Sequence, residues 1–357
     1  LLQPSFVSSE RQKIRDPNYE KRSELAILSP AESPTKVHAR STIELVGNTP
    51  LVRLESLTKG LRSDVYVKLE SANPGGSVKD RTALSMVREA ERTGALKPGA
   101  TIVESSSGNT GIGLALIGAL TGHPVIVVAG DTTSQEKLAL LRGFNAEVVL
   151  TDWTAPVESP DNARNVAARL AADIPDSWRP QQFDNPANPR AHYASTGPEI
   201  WRQTSGAVTH LVASIGTGGT ISGTGRFLKD RSRGSVNVIG ADPAGSVYSG
   251  GEPGEILVDG VGNTWGRPDW PAAFDPEVVD HFVRISNDGV YSTVHRLAEE
   301  EGLILGPSSG LAVAAALEAA RSAPAGSTIV AIAPDAGTNY LSKAFNRPWL
   351  EQNGITL

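Results

Sequence analysis

Six short apolar runs in this chain each adjoin a helix-like stretch through a turn rich in glycine, serine or threonine, and that alternation constrains the fold more than any other feature. The runs are TIVE (101–104), VIVVA (125–129), EVVL (147–150), HLVASI (210–215), VNVIGA (236–241) and TIVAIA (328–333). Their length and β-branched content predict buried strands. Segments 109–121, 134–143, 161–173, 219–229, 287–301 and 309–321 carry helical patterning. Such alternation implies a parallel sheet with helices on both faces, with ligands beyond the carboxyl ends of the strands. Segment 251–277, rich in Gly, Pro and Trp, reads as a long loop, and residues 1–40 as an extension outside the core, either disordered or packed on a partner subunit. No internal repeat is present.

Composition removes several chemistries. There are no cysteines, which excludes disulfides, thiolate nucleophiles and cysteine-ligated metal or haem. The six histidines (38, 123, 192, 210, 281 and 295) lack ligand spacing, so no metal is expected. The 33 Lys+Arg against 39 Asp+Glu form no basic stripe with interleaved aromatics, which argues against a nucleic-acid partner. The longest apolar runs are strand length, so no membrane partner is expected. Residues 1–40 are charged and lack the apolar stretch of a secretory signal, and the expected location is cytoplasmic.

One lysine is conspicuously placed. In NPGGSVKDR (73–81), Ser77 and Asp80 have capping-box spacing, which predicts a helix from Val78 toward Arg92 with Ser77 as its N-cap. Lys79 then sits in the first turn, where the helix end already carries partial positive charge. Gly75 and Gly76 are read as making room for a ligand ring. Three further turns share the strand-end position. SSSGNTG (105–111) offers hydroxyls, Asn109 and free N–H groups suited to a carboxylate; GTGGT (216–220) lets N–H groups approach a phosphate; GPSSG (306–310) opens the last of the helical segments. Any one of them alone is as readily a packing feature. Together with Lys79 they describe a site for a phosphorylated ligand plus a carboxylate.

Two rival motif readings arise. GTGGT followed by Asp242 imitates a dinucleotide fingerprint, but Ile221 occupies the third glycine position. GPSSG matches the hydrolase nucleophile elbow with Ser308, but the last histidine, His295, precedes the serine and breaks the order that family requires.

On these motifs the chain resembles the fold type II pyridoxal-phosphate enzymes, specifically the cysteine synthase/cystathionine β-synthase family. The resemblance spans residues 41–350 and includes TIELVGNTPLVRL (42–54), NPGGSVKDR, SSSGNTG, QFDNPANPRAHYASTGPEIW (182–201), GTGGTISG (216–223), DGVG (259–262), EEGLILGPSSG (300–310) and PDAGTNYLSKAF (334–345). It implies an α/β, tryptophan synthase β-like fold of two three-layer α/β/α domains with mostly parallel twisted sheets. Residues 41–84 with 186–350 would form the larger, cofactor-binding domain, and 85–185 a smaller mobile domain for the substrate carboxylate.

The cofactor implied is pyridoxal 5'-phosphate, held covalently by Lys79, which would also be the catalytic base. By the same resemblance Gly216, Thr217, Gly218, Gly219 and Thr220 would hold its phosphate, Asn109 its ring hydroxyl and Ser308 its pyridine nitrogen. Ser106, Ser107, Gly108, Asn109, Thr110 and Gln182 would bind the substrate carboxylate, and Gly260 would face the substrate amine. The partners implied are small amino-acid substrates and a second copy of the chain in a homodimer. The reaction implied is β-replacement on serine or an activated serine through an aminoacrylate.

Several stretches, among them IGADPAGSVYSGG (239–251) and VDGVG (258–262), are closer to the bacterial cystathionine synthases, the leading expectation. Few residues follow PDAGTNYLSKAF, so no regulatory tandem domain is expected. Departures from the family pattern are Ser105–Ser106 in place of Pro-Thr, Phe183 in place of Tyr, Asp259 in place of Glu, and AGDTT (129–133) in place of a Met-Pro segment. Cysteine synthase or a specialised β-substituted alanine synthase, for instance of the 2,3-diaminopropionate type, are the alternatives.

Overall fold

A computed structural model describes residues 39–357 except 107, 153 and 157. Leu1–Arg40 and Ser41–Leu357 are separate units, and all but the last two residues of the expected extension lie outside the described residues. Within Ser41–Leu357 the elements are β1 (Leu51–Arg53), β2 (Asp64–Leu69), α1 (Lys79–Thr93), β3 (Ile102–Ser105), α2 (Asn109–Thr121), β4 (Val125–Gly130), α3 (Gln135–Gly143), β5 (Glu147–Thr151), α4 (Ala163–Asp173), α5 (Ala187–Ala194), α6 (Thr196–Gln203), β6 (His210–Ser214), α7 (Gly219–Ser232), β7 (Asn237–Pro243), β8 (His281–Ile285), α8 (Asn287–Glu301), α9 (Pro307–Ser322), β9 (Thr328–Ala333) and α10 (Arg347–Gln352). Among the described residues, no helix is long and apolar enough to cross a membrane.

Alternation alone implied one sheet; the strands form two. The larger has the order β1-β2-β9-β6-β7-β8, parallel except for the β1–β2 pair, and the smaller is the parallel triplet β3-β4-β5. Successive side chains on a strand point to opposite faces, and here both faces are buried. Ile329, Ala331 and Ala333 of β9 pack with Leu311, Ala315 and Ala316 of α9, while Val330 and Ile332 pack with Leu228 of α7 and Ile200 of α6. In the small sheet Val125 and Val127 face Met86 of α1, Ile117 of α2 and Leu141 of α3, whereas Ile126 and Val128 face Val166 and Ala167 of α4. Each sheet is therefore the middle of three layers.

The start of α1 is locked by charge. Arg81 grips Glu70 through Nε (2.7 Å) and Nη2 (2.9 Å), and Glu199 of α6 through Nη1 (2.7 Å) and Nη2 (2.8 Å). The Lys68 ammonium on β2 donates to Glu199 (2.7 Å), the Thr49 carbonyl (2.7 Å) and Gln203 (2.9 Å). Burial opposes ionisation of Glu199, yet Arg81 and Lys68 hold its carboxyl down to about 2. Removing one partner of a buried pair strands the other charges. Arg81→Met is accordingly expected to lower stability by about 3–5 kcal/mol in urea unfolding; a loss below about 1 kcal/mol would show that the network does not anchor this helix.

Candidate active site

The capping-box expectation at Lys79 is corrected in detail. The helix starts at Lys79 with Val78 as its flanking residue. Ser77 Oγ accepts one N–H, that of Lys79, at 3.2 Å, while the Asp80 carboxylate reaches back to the Gly75 N–H (2.5 Å) rather than to Ser77. A Cβ on Gly75 would lie 2.5 Å from Asp80 Oδ1, so this glycine makes room for Asp80 and not for a ligand ring. Gly76 has a φ of +81°, which only glycine adopts without strain. Burial drives the Asp80 carboxyl up to about 7. The turn is tied to the end of β9 by the Val78 N–H donating to the Pro334 carbonyl at 2.7 Å.

Lys79 has no ion-pair partner among the described residues. Desolvation lowers its ammonium to about 8, with Asp335 pulling the other way. It lines a cavity of about 720 Å³ shared by Ser106, Asn109, Thr110, Gln182, Gly216, Thr217, Gly218, Thr220, Gly260 and Ser308. Residues from both sheets' connections thus converge on one amine. Ser107 lies outside the described residues, and Gly108 and Gly219 are not among the residues that line the cavity.

At the small-sheet side, Ser106 Oγ accepts the N–H groups of Gly108 (3.2 Å) and Gly111 (3.1 Å), so this hydroxyl also builds the turn into α2. Gly108 has a φ of +153°, and a Cβ there would sit 2.6 Å from Lys137 Cδ. Thr110 Oγ1 donates to Gln182 at 2.5 Å. Asn109 Oδ1 is buried without a hydrogen-bond partner among the described residues, as is Ser214 Oγ at the end of β6.

At the large-sheet side, 216–220 leads from β6 into α7, whose first turn leaves N–H groups without intrahelical acceptors. The glycines are dictated by what backs them. A Cβ on Gly216 would lie 2.1 Å from the Gly260 carbonyl oxygen, on Gly218 2.2 Å from Phe274 Cβ, and on Gly219 2.0 Å from Asn188 Oδ1. Asn188 Nδ2 donates to Thr217 Oγ1 at 3.0 Å, and Thr220 Oγ1 meets His192 Nε2 at 3.2 Å. Desolvation, with Arg81 and Lys79 nearby, pushes His192 well below its usual range and keeps it neutral.

Asp335 is the site residue that motif reading missed. It lies just past β9 and is fully buried. Its Oδ2 accepts from Asn109 Nδ2 (2.7 Å) and the Tyr340 hydroxyl (2.6 Å), and Ser308 Oγ stands 3.4 Å from Oδ1. Its backbone carbonyl accepts the Gly306 N–H at 3.1 Å. One carboxylate therefore joins the turns carrying Asn109 and Ser308. Burial raises its pKa. The available signal was an acid at the carboxyl end of the last strand, where ligand sites gather in such sheets.

The rival readings lose their geometry. Asp242 is buried, accepts the Ser249 N–H at 2.8 Å and does not line the cavity. His295 Nε2 meets the Ala344 carbonyl at 2.9 Å and does not line the cavity that Ser308 lines.

A lysine with a depressed pKa, a glycine-walled N–H turn and a second hydroxyl-rich turn share one cavity. The family model described as pyridoxal-phosphate dependent enzyme matches residues 43–335. A probable cysteine synthase of Bacillus subtilis is 45% identical over 306 residues, covering 85% of this chain and 96% of that protein. The cystathionine beta-synthase of Rattus norvegicus is 43% identical over 320 residues, covering 87% of this chain. The chain spans 56–62% of the length of the animal relatives it matches. The solved O-acetylserine dependent cystathionine beta-synthase of Helicobacter pylori is 38% identical with a TM-score of 0.78, covering 86% of this chain and 98% of that one. A match running from the first strand's approach to the carboxylate past the last, across every turn that meets Lys79, makes this chain a member of the pyridoxal-phosphate dependent enzyme family.

Proposed function

We propose that this chain catalyses β-replacement on L-serine or an activated L-serine, and that it is a cystathionine β-synthase joining L-serine to L-homocysteine. The convergence on one cavity of the unpaired Lys79 amine, the 216–220 turn and the Asn109–Thr110–Gln182 group carries the reading. The residues fit pyridoxal phosphate. Positions 216, 218 and 219 have no room for a Cβ, so glycine is required at these three, and the turn's N–H groups stand at a helix start that suits a phosphate. Asn109 Oδ1 and Ser214 Oγ, buried without a partner among the described residues, call for a polar group in the cavity.

When bound, pyridoxal phosphate supplies the electron sink that lets an amino acid lose its α-proton and then its β-substituent. In this reading the N–H groups and hydroxyls of 216–220 bind its phosphate, Asn109 and Ser308 orient its ring, and Lys79 anchors it. Once released by an incoming amino acid, Lys79 takes the α-proton on Nζ, and a pKa near 8 suits that task at neutral pH. Ser106, Ser107, Gly108, Asn109, Thr110 and Gln182 receive the substrate carboxylate, and Gly260 faces its amine. Asp259 on the cavity wall is held between Lys137 Nζ (3.4 Å) and Lys343 Nζ (3.2 Å), so its charge is compensated within the protein. A homodimer in the cytoplasm, and a small domain of 85–185 moving against 41–84 with 186–350, complete the proposal. In this division α1 runs across the boundary.

Purified holoenzyme offered L-serine, O-acetylserine or O-phosphoserine, each with homocysteine or sulfide, is expected to form cystathionine from serine and homocysteine. Serine remaining inert while O-acetylserine yields cysteine would replace this assignment with a cysteine synthase. Peptide mapping after borohydride reduction is expected to find the cofactor on the peptide containing Lys79.

A further inference from the structure

Arg164 occupies the second position of α4, the end of a helix where a cation gains nothing from the backbone dipole. Its N–H is capped by Asn162 Oδ1 at 3.1 Å. The guanidinium carbon lies 4.8 Å from the ring centroid of Phe183 and 4.8 Å from that of Trp265. The three side chains come from separate segments and line the same cavity as Lys79. No carboxylate among the described residues pairs with this guanidinium. The two acids on the cavity wall are engaged elsewhere: Asp152 accepts from Thr154 N–H (2.8 Å) and Oγ1 (2.6 Å), and Asp259 lies between Lys137 and Lys343. The fold does not need the charge, because α4 is fastened through Val166 and Ala167.

The guanidinium carbon packs against both rings, and its planar edge of N–H donors, without a carboxylate partner among the described residues, has the geometry that takes a carboxylate in two parallel hydrogen bonds. The rings also fix the fork before a ligand arrives, which lowers the ordering cost of binding. Arg164 lines the same cavity as Gln182, Thr110 and Asn109, the group read as receiving the first substrate's carboxylate, and can serve a second one.

We propose that Arg164, packed against Phe183 and Trp265, binds the carboxylate of the incoming nucleophile and selects carboxylate-bearing thiols over neutral thiols and sulfide. The inference rests on the β-replacement reading. In that reaction the C–O bond at the β-carbon breaks, a C–S bond forms, and the thiol proton leaves with the displaced group as water or acetic acid.

The test uses holoenzyme with serine or O-acetylserine, whichever turns over, and three nucleophiles: 3-mercaptopropionate, 2-mercaptoethanol and sulfide. Wild type is expected to show a KM for 3-mercaptopropionate at least about tenfold below that for 2-mercaptoethanol, and Arg164→Gln to raise the former about 10–100-fold with kcat within about threefold and sulfide kinetics unchanged. Arg164→Lys and Trp265→Leu are expected to fall between, since one keeps the charge without the fork and the other loosens the fork. An unchanged KM, or equal losses for all three nucleophiles, would overturn the proposal. So would a KM rise confined to O-phosphoserine when it is run as a parallel first substrate, which would assign the site to a leaving group. Should Arg164→Gln not fold, the wild-type preference and Trp265→Leu decide the matter. No turnover with any nucleophile would instead refute β-replacement itself.

Discussion

Replacing Lys79 by alanine is expected to abolish turnover, by roughly 10³-fold or more, while making the cofactor-free protein more stable. Folding removes this ammonium from water and lowers its pKa from 10.5 to about 8. Between those values the unfolded chain binds a proton that the folded chain does not, so stability of the cofactor-free wild type rises with pH from about 8 to about 10.5. Below about 8 both states are protonated and the full penalty of the buried charge, on the order of 3 kcal/mol, is present. Lys79→Ala should therefore exceed cofactor-free wild type by about 1–3 kcal/mol at pH 7 in urea unfolding, after allowance for lost packing, with the gap closing toward pH 10.5. A less stable variant at pH 7 would mean that the lysine contributes to the fold rather than burdening it. Stability sacrificed at one residue for chemistry is the usual trade at an active site.

The second large effect is expected at Asp335. Asp335→Ala removes the acceptor shared by Asn109 Nδ2 and the Tyr340 hydroxyl and takes away the neighbour of Ser308. Two buried donors left without partners cost about 1–3 kcal/mol each, so a total loss of about 2–6 kcal/mol is expected. Tyr340 also carries the Lys137 ammonium 4.2 Å above its ring, and Ser134 at the start of α3 donates to the Asn339 carbonyl at 3.0 Å. Loosening Tyr340 thus disturbs the seam where α3 meets the large sheet's connections. Affinity for pyridoxal phosphate, followed by cofactor absorbance during dilution, is expected to fall at least about tenfold, with Asp335→Asn losing less because it retains one acceptor. Unaltered cofactor affinity in a folded Asp335→Ala protein would show that this carboxylate does not set the geometry of Asn109 and Ser308.

The elements that were legible are those whose local pattern matches their environment. VIVVA became β4, buried on both faces, and 109–121 became α2 with its bounds unchanged. Elements that escaped the pattern carry polar or short segments into the fold. The strand DVYVKL, β2, includes Lys68, which is buried only because Glu199, 131 residues away, neutralises it. β1 is three residues long, and β8, HFVRI, is an edge strand with largely half-buried or exposed positions. Helices α5 and α6 each contain a proline, Pro189 and Pro198, in the first turn, where its missing N–H costs nothing but where a pattern reading expects a break.

By itself the sequence determined the alternating elements and the glycine turns at strand ends, and the family resemblance carried by those turns implied the cofactor. The elements and turns depend on neighbours a few residues apart, where backbone geometry and hydrophobic period are read directly. Only the tertiary structure decided that Asp80 reaches Gly75, that Asp335 joins Asn109 to Ser308, that Asp259 lies between two lysines and that Arg164 packs against two rings. The last three pair side chains across tens to hundreds of residues, and Asp80 could have faced Ser77 or Gly75 with equal chemical sense. Which partner a charged group finds is set by where packed layers bring it, and that follows from burial of the whole core rather than from any local run of residues.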